Sequence, residues 1–421
     1  MKSFVGSLRL KLPVMAAIAA VALALGTGTV LRGNLHAAWN KIHIPANSPS
    51  FSDTRSITHS IDCFASGRDP YTVSACDPWG RLLNYPPVWL AARYIGVTSL
   101  SSNLAGVLFA LAAGSAYLLL FNTRTFLSAA IVFLAMTSRC VLFSVERGNT
   151  DQLIFFLLVF GIFLIHHQRP DLRDRLMCLL LVLLTILKVY PIAAVTVFLQ
   201  RRSGWTYTLR TACVALVALI LTSGRKLIYV IVNTPLDSDK SFGTFPFFYS
   251  FSRHLLPPLA PVFGQYHAVA PLAALLFGSI GLFAGASSNH HLDRILPPLD
   301  SNQPRGAIAI ACLSIFCFAF SAGASYDYRL IYLTGALAWL VEDIDAGHRL
   351  RSVPAAALIL FLLWKPFWLS ITGELFDGMV FLMSSVWLGN ALFSRGGREH
   401  NPVHGSAPVW QTDRPLAPPA R

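Results

Sequence analysis

Apolar residues in this chain come in long uninterrupted runs, each bounded by a short polar or charged segment. The first, Leu12 to about Leu31, spans roughly 20 residues, enough for a helix across a bilayer and longer than the apolar core of about 7–15 residues in a secretory signal. A retained anchor is expected. Later runs predict helices over Asn103–Phe121, Thr125–Phe143, Gln152–Ile165, Thr211–Val232, Ala268–Ala284, Ala307–Phe320, Leu330–Val341, Pro354–Leu369 and Leu375–Leu392. Three places break the pattern. Tyr85–Val97 is too short to cross, Lys188-Val189-Tyr190-Pro191 interrupts Leu176–Leu199, and Arg225-Lys226 interrupts Thr211–Val232. Proline stops a helix, so Leu176–Leu199 is expected to enter and return or to split near Pro191.

The pattern predicts an all-α polytopic membrane protein with roughly 10–12 transmembrane helices, some re-entrant or broken. The membrane domain covers residues 1–394 and includes a long polar loop at about 32–84. The 395–421 tail is rich in proline and polar residues and is expected to be disordered. With 54% hydrophobic and only 13% charged residues, an ordinary soluble core is excluded.

The formal charge of +13 does not indicate nucleic acid, because the basic residues lie in short clusters between apolar runs. They report topology instead. Lys2, Arg9 and Lys11 precede the first span and place the N-terminus in the cytoplasm. Arg169, Arg173, Arg175, Arg201, Arg202, Arg210, Arg349, Arg351 and the tail fall on the same side. A plasma-membrane protein with both termini cytoplasmic is expected. The 32–84 loop, the Glu146–Asn149 turn, the Asn233–Gln265 segment and Tyr326–Arg329 then share the outer face.

Of seven cysteines, Cys63 and Cys76 alone sit in the outward loop, where an oxidising exterior permits a disulfide; sequence leaves the pairing open. No zinc-ligand spacing occurs around His166-His167, and Asp237 with Asp239 supplies too few oxygens for a hard cation, so no metal is expected. No nucleotide-binding loop is present either, so an activated donor must come from elsewhere and no cofactor is expected. The aromatic run Phe242–Phe251 suits an interfacial belt or a surface for sugar or prenyl chain.

Several short polar motifs punctuate the apolar runs. Ser52-Asp53-Thr54-Arg55, Gly67-Arg68-Asp69-Pro70-Tyr71 and Asn84-Tyr85-Pro86-Pro87 lie in the loop. Arg147-Gly148-Asn149, Lys188-Val189-Tyr190-Pro191 and Ser325-Tyr326-Asp327-Tyr328 follow. On the residues alone, Asp53 reads most simply as a solvated loop acid or a helix N-cap acid beside Ser52. Asp69, before Pro70, suits a turn, while Asp62 and Asp77 are reserve acids beside the cysteines. Lys188 within an apolar stretch requires a partner, since an unpaired charge there costs on the order of 3 kcal/mol.

In order, from Met1 to about Leu392, these motifs resemble glycosyltransferase family 87, which has the GT-C membrane fold. That family includes polyprenyl-phosphate-mannose-dependent α-1,2-mannosyltransferases. The resemblance implies a polyprenyl-phosphate-linked sugar donor, a lipid or glycan acceptor, inversion at the anomeric carbon, and Asp53 as general base. Arg147, Lys188 and Arg329 become candidates for the donor phosphate, and Tyr85, Asn149 and Asp327 for the sugar or acceptor pocket. Arg147 can equally pair with Glu146 or Asp151, Lys188 with Asp327 or water, and Arg329 with Asp327. Family members carry Trp and His near the turn that here reads Ser325–Arg329, so no histidine role transfers. A transporter or flippase of lipid-linked sugars, or a membrane glycan polymerase or ligase, would share the spans and buried charges.

Overall fold

The computed structural model describes residues 10–201, 204–234, 240–255, 257–259, 269–288, 291–366 and 371–393. Lys2, Arg9, Arg202, Asp237, Asp239 and the 395–421 tail, each given a role above, lie outside them, as do Ala268 and Leu369.

The described chain is predominantly helical, with very little strand. Its helices are α1 Leu12–Arg32, α2 Leu35–Lys41, α3 Ser52–Ala65, α4 Ser102–Leu120, α5 Phe126–Met136, α6 Arg139–Arg147, α7 Thr150–His166 and α8 Pro170–Leu187. They continue as α9 Gly204–Ser223, α10 Lys226–Val232, α11 Thr244–Leu255, α12 Val269–Ala286, α13 Pro304–Ser321, α14 Leu333–Asp345, α15 Arg349–Leu363 and α16 Ile371–Phe393. Two short strands, β1 Ser241–Phe242 and β2 Ser325–Tyr326, pair antiparallel, with Ser241 opposite Tyr326.

Among the described residues, five helical segments, Leu12–Arg32, Ser99–Leu120, Gly204–Ser223, Pro304–Ser321 and Thr372–Phe393, are long and apolar enough to cross a membrane. α5 and α6, bent by 41°, form a sixth if counted as one span. Their surroundings differ. Only 11% of the apolar window of α1 is buried, against 72% for α13, so α13 is a central post and α1 lies at the rim. Leu23, Val30 and Leu31 on α1 are exposed apolar side chains. Such a surface is stable against lipid tails, where an all-helical chain satisfies its own backbone groups. The protein is thus an all-α, multi-pass membrane architecture.

Helix ends gather in two layers. At one, Lys11 donates to Leu118 O and Phe121 O, Thr125 Oγ1 donates to Asp345 at 2.9 Å, and Gln200 Nε2 donates to Leu299 O and Ala391 O at 2.8 and 2.9 Å. At the other lie residues 47–53, 146–151, 188, 241–242 and 325–329. Proline at the first turn starts α8 and α13, where its missing N–H removes no helical bond.

The interruptions seen in sequence are real breaks. α8 stops at Leu187 and the chain returns as a 3-10 segment, Tyr190–Phe198. Arg201 then pairs with Asp174 near the start of α8, which places both ends of this excursion in one layer. α9 ends at Ser223 where Gly224 takes φ 53°, so Thr211–Val232 is not one helix. Leu330–Val341 also differs: α14 begins at Leu333, after a 3-10 segment Asp327–Tyr332. Pro87–Ile95 is a 3-10 helix of nine residues.

The largest departure concerns the 32–84 segment, expected as a polar loop and found to be substantially helical. α3 is amphipathic, burying Ile57 and Ile61 against Tyr71, Leu83, Tyr85 and Leu90 in a separate small core. A disulfide joins Cys63 at the end of α3 to Cys76, with Cα atoms 5.6 Å apart. Replacing both cysteines with serine is expected to lower the stability of this layer by about 2–4 kcal/mol. Faster proteolysis of residues 33–98 in the variant would register it; an unchanged rate would count against the disulfide as a support.

Candidate active site

The site starts from an unusual backbone. Phe51, which precedes α3, has φ 64°, and its amide donates to Glu146 O at 2.9 Å. Its ring lies on Gly106 of α4, where a Cβ would approach Phe51 Cγ to 2.4 Å. Thr54 Oγ1 donates to Gly148 O just beyond α6. These contacts clamp the start of α3 onto the end of α6, and Asp53 falls in the first helical turn. A carboxylate there is favoured by the helix dipole and the free N–H groups.

Gly148 itself has φ 56°, and a Cβ would lie 2.5 Å from Thr54 Oγ1 and 3.0 Å from Phe51 Cβ. Gly148→Ala is therefore expected to destabilise by at least about 1–2 kcal/mol from backbone strain alone. The clash should also displace Asp53. A thermal melt checks the first effect; parent-like stability would mean the clamp yields freely.

Asp53 is 8% exposed and opens onto a cavity of about 60 Å³ shared with Ser56, Arg81, Tyr85, Arg147, Tyr326 and Tyr328. Its Oδ2 accepts from Asn149 Nδ2, and its Oδ1 lies 3.4 Å from Arg81 Nη1. Arg81 is held by Asp77, at 3.1 Å from Nε and 3.0 Å from Nη2, and donates to Ser52 O at 2.7 Å. Burial would lower the Arg81 pKa, but the carboxylates of Asp53 and Asp77 more than reverse this and hold it above the usual range. It stays a cation. Burial also raises the Tyr85 phenol well above its ordinary value, with Asp53 adding to the effect, so Tyr85 is neutral.

Arg147 closes the other side. Its Nη1 donates to Ser52 Oγ at 2.8 Å, its Nε lies 3.4 Å from Glu146 Oε2, and its guanidinium covers the Phe143 ring at 4.8 Å. Glu146 also accepts from Asn47 N at 2.8 Å.

Asn149 is the joint between Asp53 and a deeper charge group. Its Oδ1 caps α7 by accepting from Asp151 N at 2.8 Å and also accepts from Lys188 Nζ at 3.2 Å. Its Nδ2 lies 3.4 Å from Tyr85 Oη as well. Lys188 pairs with Asp151 at 2.9 Å, within 5.2–6.0 Å of the ring centres of Tyr85, Tyr190 and Tyr328. Arg329 lies 3.7 Å from the other Asp151 oxygen. Asp151, not Asp327, is thus the shared counter-ion of Lys188 and Arg329.

The structure brings Asp53, Tyr85, Arg147 and Asn149 close together, with Lys188 and Arg329 one layer behind. Lys188 and Arg329 do not line the cavity; Lys188 sits against the Tyr85 and Tyr328 rings that do. Asp327 does not join the site. It lies 2.9 Å from Lys365, which also meets Asp377 at 2.8 Å and Glu374 at 3.8 Å. The reason is local geometry: successive residues of a 3-10 turn diverge by about 120°, so Tyr328 faces the Asp53 cavity while Asp327 faces Lys365.

Arg81 is the residue that the sequence reading missed. Its only sequence signal is the four-residue spacing from Asp77, which is common on any polar segment. Asp77 acts as its clamp rather than as a reserve base. Asp62 is spoken for by Ser99 N at 2.9 Å, and Asp69 accepts from Tyr71 N at 3.1 Å, the turn role expected of it. Among the described residues, no group of three or more His, Cys, Asp or Glu is arranged to hold a metal ion.

Compared with protein-family models, curated proteins and solved structures, the chain finds no match.

Proposed function

We propose that this protein is a membrane glycosyltransferase that moves a hexose, mannose by the motif resemblance, from polyprenyl phosphate to a hydroxyl on a lipid or glycan acceptor. The observation that carries the reading is a buried aspartate at a helix N-terminus, opening onto a polar cavity flanked by two guanidinium groups. Asp53 takes the acceptor proton as the acceptor oxygen attacks the anomeric carbon. The bond from that carbon to the phosphate oxygen breaks, and its electron pair leaves on the phosphate. Direct attack inverts the anomeric centre, turning a β-linked donor into an α-linked product. Arg81 and Arg147 are placed to stabilise the departing anion, a task for preorganised donors. Lys188 and Arg329 act through Asp151 and Asn149, holding the amide that aims Asp53.

The cavity has room for a few water molecules, so a hexose requires its Leu82–Asn84 and Tyr326–Tyr328 walls to part. The proposed setting is the plasma membrane, with the Asp53 layer outside and both chain termini in the cytoplasm, as the positive residues before α1 imply. The test is to incubate the purified protein in lipid with radiolabelled polyprenyl-phosphate mannose and candidate acceptors. Label in a new glycosidic bond supports the reading. Movement of the donor across the bilayer with no new bond would replace it with a transporter.

A further inference from the structure

A second cavity, of about 360 Å³, lies on the far side of Tyr71 from Asp53, between the end of α3, the 3-10 helix Pro87–Ile95 and the last turn of α9. Tyr71 is the partition: its hydroxyl donates to Tyr85 O at 2.7 Å, while its own ring lines the second cavity. The chemistry here differs from that of the first cavity. Arg93 rests over the Phe64 and Tyr94 rings at 5.0 and 4.5 Å and has no carboxylate partner among the described residues. Lys226 is paired with Asp69, leaving the three charges with a net of +1. Ser223 is only 5% exposed and lines the cavity, and its hydroxyl has no hydrogen-bond partner among the described residues. A buried hydroxyl without a partner is costly unless something fills the site.

The rim is apolar. Tyr94 and its neighbour Ile95 are largely exposed there, and Leu221 on α9, two residues before Ser223, is an exposed apolar side chain. Aromatic and apolar residues around a cationic pocket at the end of a membrane helix match the boundary between headgroups and acyl chains.

We infer that this cavity binds the phosphate headgroup of an anionic glycerophospholipid, with Arg93, Lys226 and Ser223 on the phosphate and the acyl chains running down α9. Asp69 sets the affinity by competing with the phosphate for Lys226. The inference is independent of the transferase reading, since lipid retention is measured without turnover.

The experiment uses the full chain in nanodiscs of phosphatidylcholine with increasing phosphatidylglycerol, and native mass spectrometry to count retained lipid. The parent is expected to retain phosphatidylglycerol in preference to phosphatidylcholine of the same chain length, and inorganic phosphate is expected not to displace it. R93Q/K226Q should weaken phosphatidylglycerol retention by about tenfold or more, the usual worth of hydrogen bonds to charged groups. Asp69→Asn keeps an oxygen for the Tyr71 amide but frees Lys226, so it should tighten retention; a purely structural ion pair would not. Equal retention of both lipids by the parent overturns the inference. So does parent-like retention in R93Q/K226Q with an unchanged melting temperature, or unchanged retention in Asp69→Asn. Displacement by inorganic phosphate would overturn the lipid as occupant.

Discussion

Asp53→Asn is expected to reduce sugar transfer by about 10²–10⁴-fold, the range that a positioned general base supplies, while leaving the protein folded. The substitution preserves shape and one oxygen. The asparagine carbonyl can still accept from Asn149 Nδ2, and Arg81 keeps Asp77 and Ser52 O. What disappears is the capacity to take a proton beside the cavity. Initial rates with radiolabelled donor, read beside a melting curve, separate the two effects. A folded variant that transfers sugar at the parent rate would remove Asp53 as the base. Asp77→Asn is the informative companion, because it loosens Arg81 without touching the base and should cost less.

Lys365→Met is expected to have the largest effect on stability, roughly 3–5 kcal/mol, the cost of breaking a buried ion pair. Lys365 is buried and faces Asp327, Asp377 and Glu374, themselves buried, and donates to Ser241 O at 3.1 Å. Without it, carboxylates would face one another in a low-dielectric interior. The same lysine ties β1 to the turn carrying Asp327, so its loss should also unseat Tyr328 from the Asp53 cavity. An exposed ion pair would be worth about 0–1 kcal/mol, which makes the comparison decisive. Size-exclusion profiles and thermal melts of K365M and of K365M/D377N test it: the double variant should recover part of the loss. A single variant as stable as the parent would show that the cluster does not depend on its cation.

These predictions rest on residues of very different legibility. The polar stretch behind the first apolar run was conspicuous, but only the motif resemblance set Asp53 above Asp62, Asp69 and Asp77 within it. The breaks at Lys188–Pro191 and Arg225-Lys226 were equally plain, since charge and proline interrupt an apolar run at the residue itself. The pairing of Cys63 with Cys76 was open on spacing alone and needed the fold of α3 to bring the two together. The helical nature of residues 52–65 was obscured because their apolar face, Ile57 and Ile61, is covered by Tyr71, Leu83 and Leu90 from further along the chain. Polar residues mask such a face when counted by composition.

Charge partners were the least legible. Lys188 required a carboxylate, but nothing along the chain distinguished Asp151 from Asp327, and Arg81 meets Asp53 across 28 positions. The division has a physical cause. In lipid every helix must satisfy its backbone within itself, so run length and interruptions determine the all-helical, multi-pass architecture locally. Which oxygen faces which cation depends on how segments remote in sequence pack side by side, down to the divergence of Asp327 and Tyr328 in one 3-10 turn. Only the assembled helices decided that.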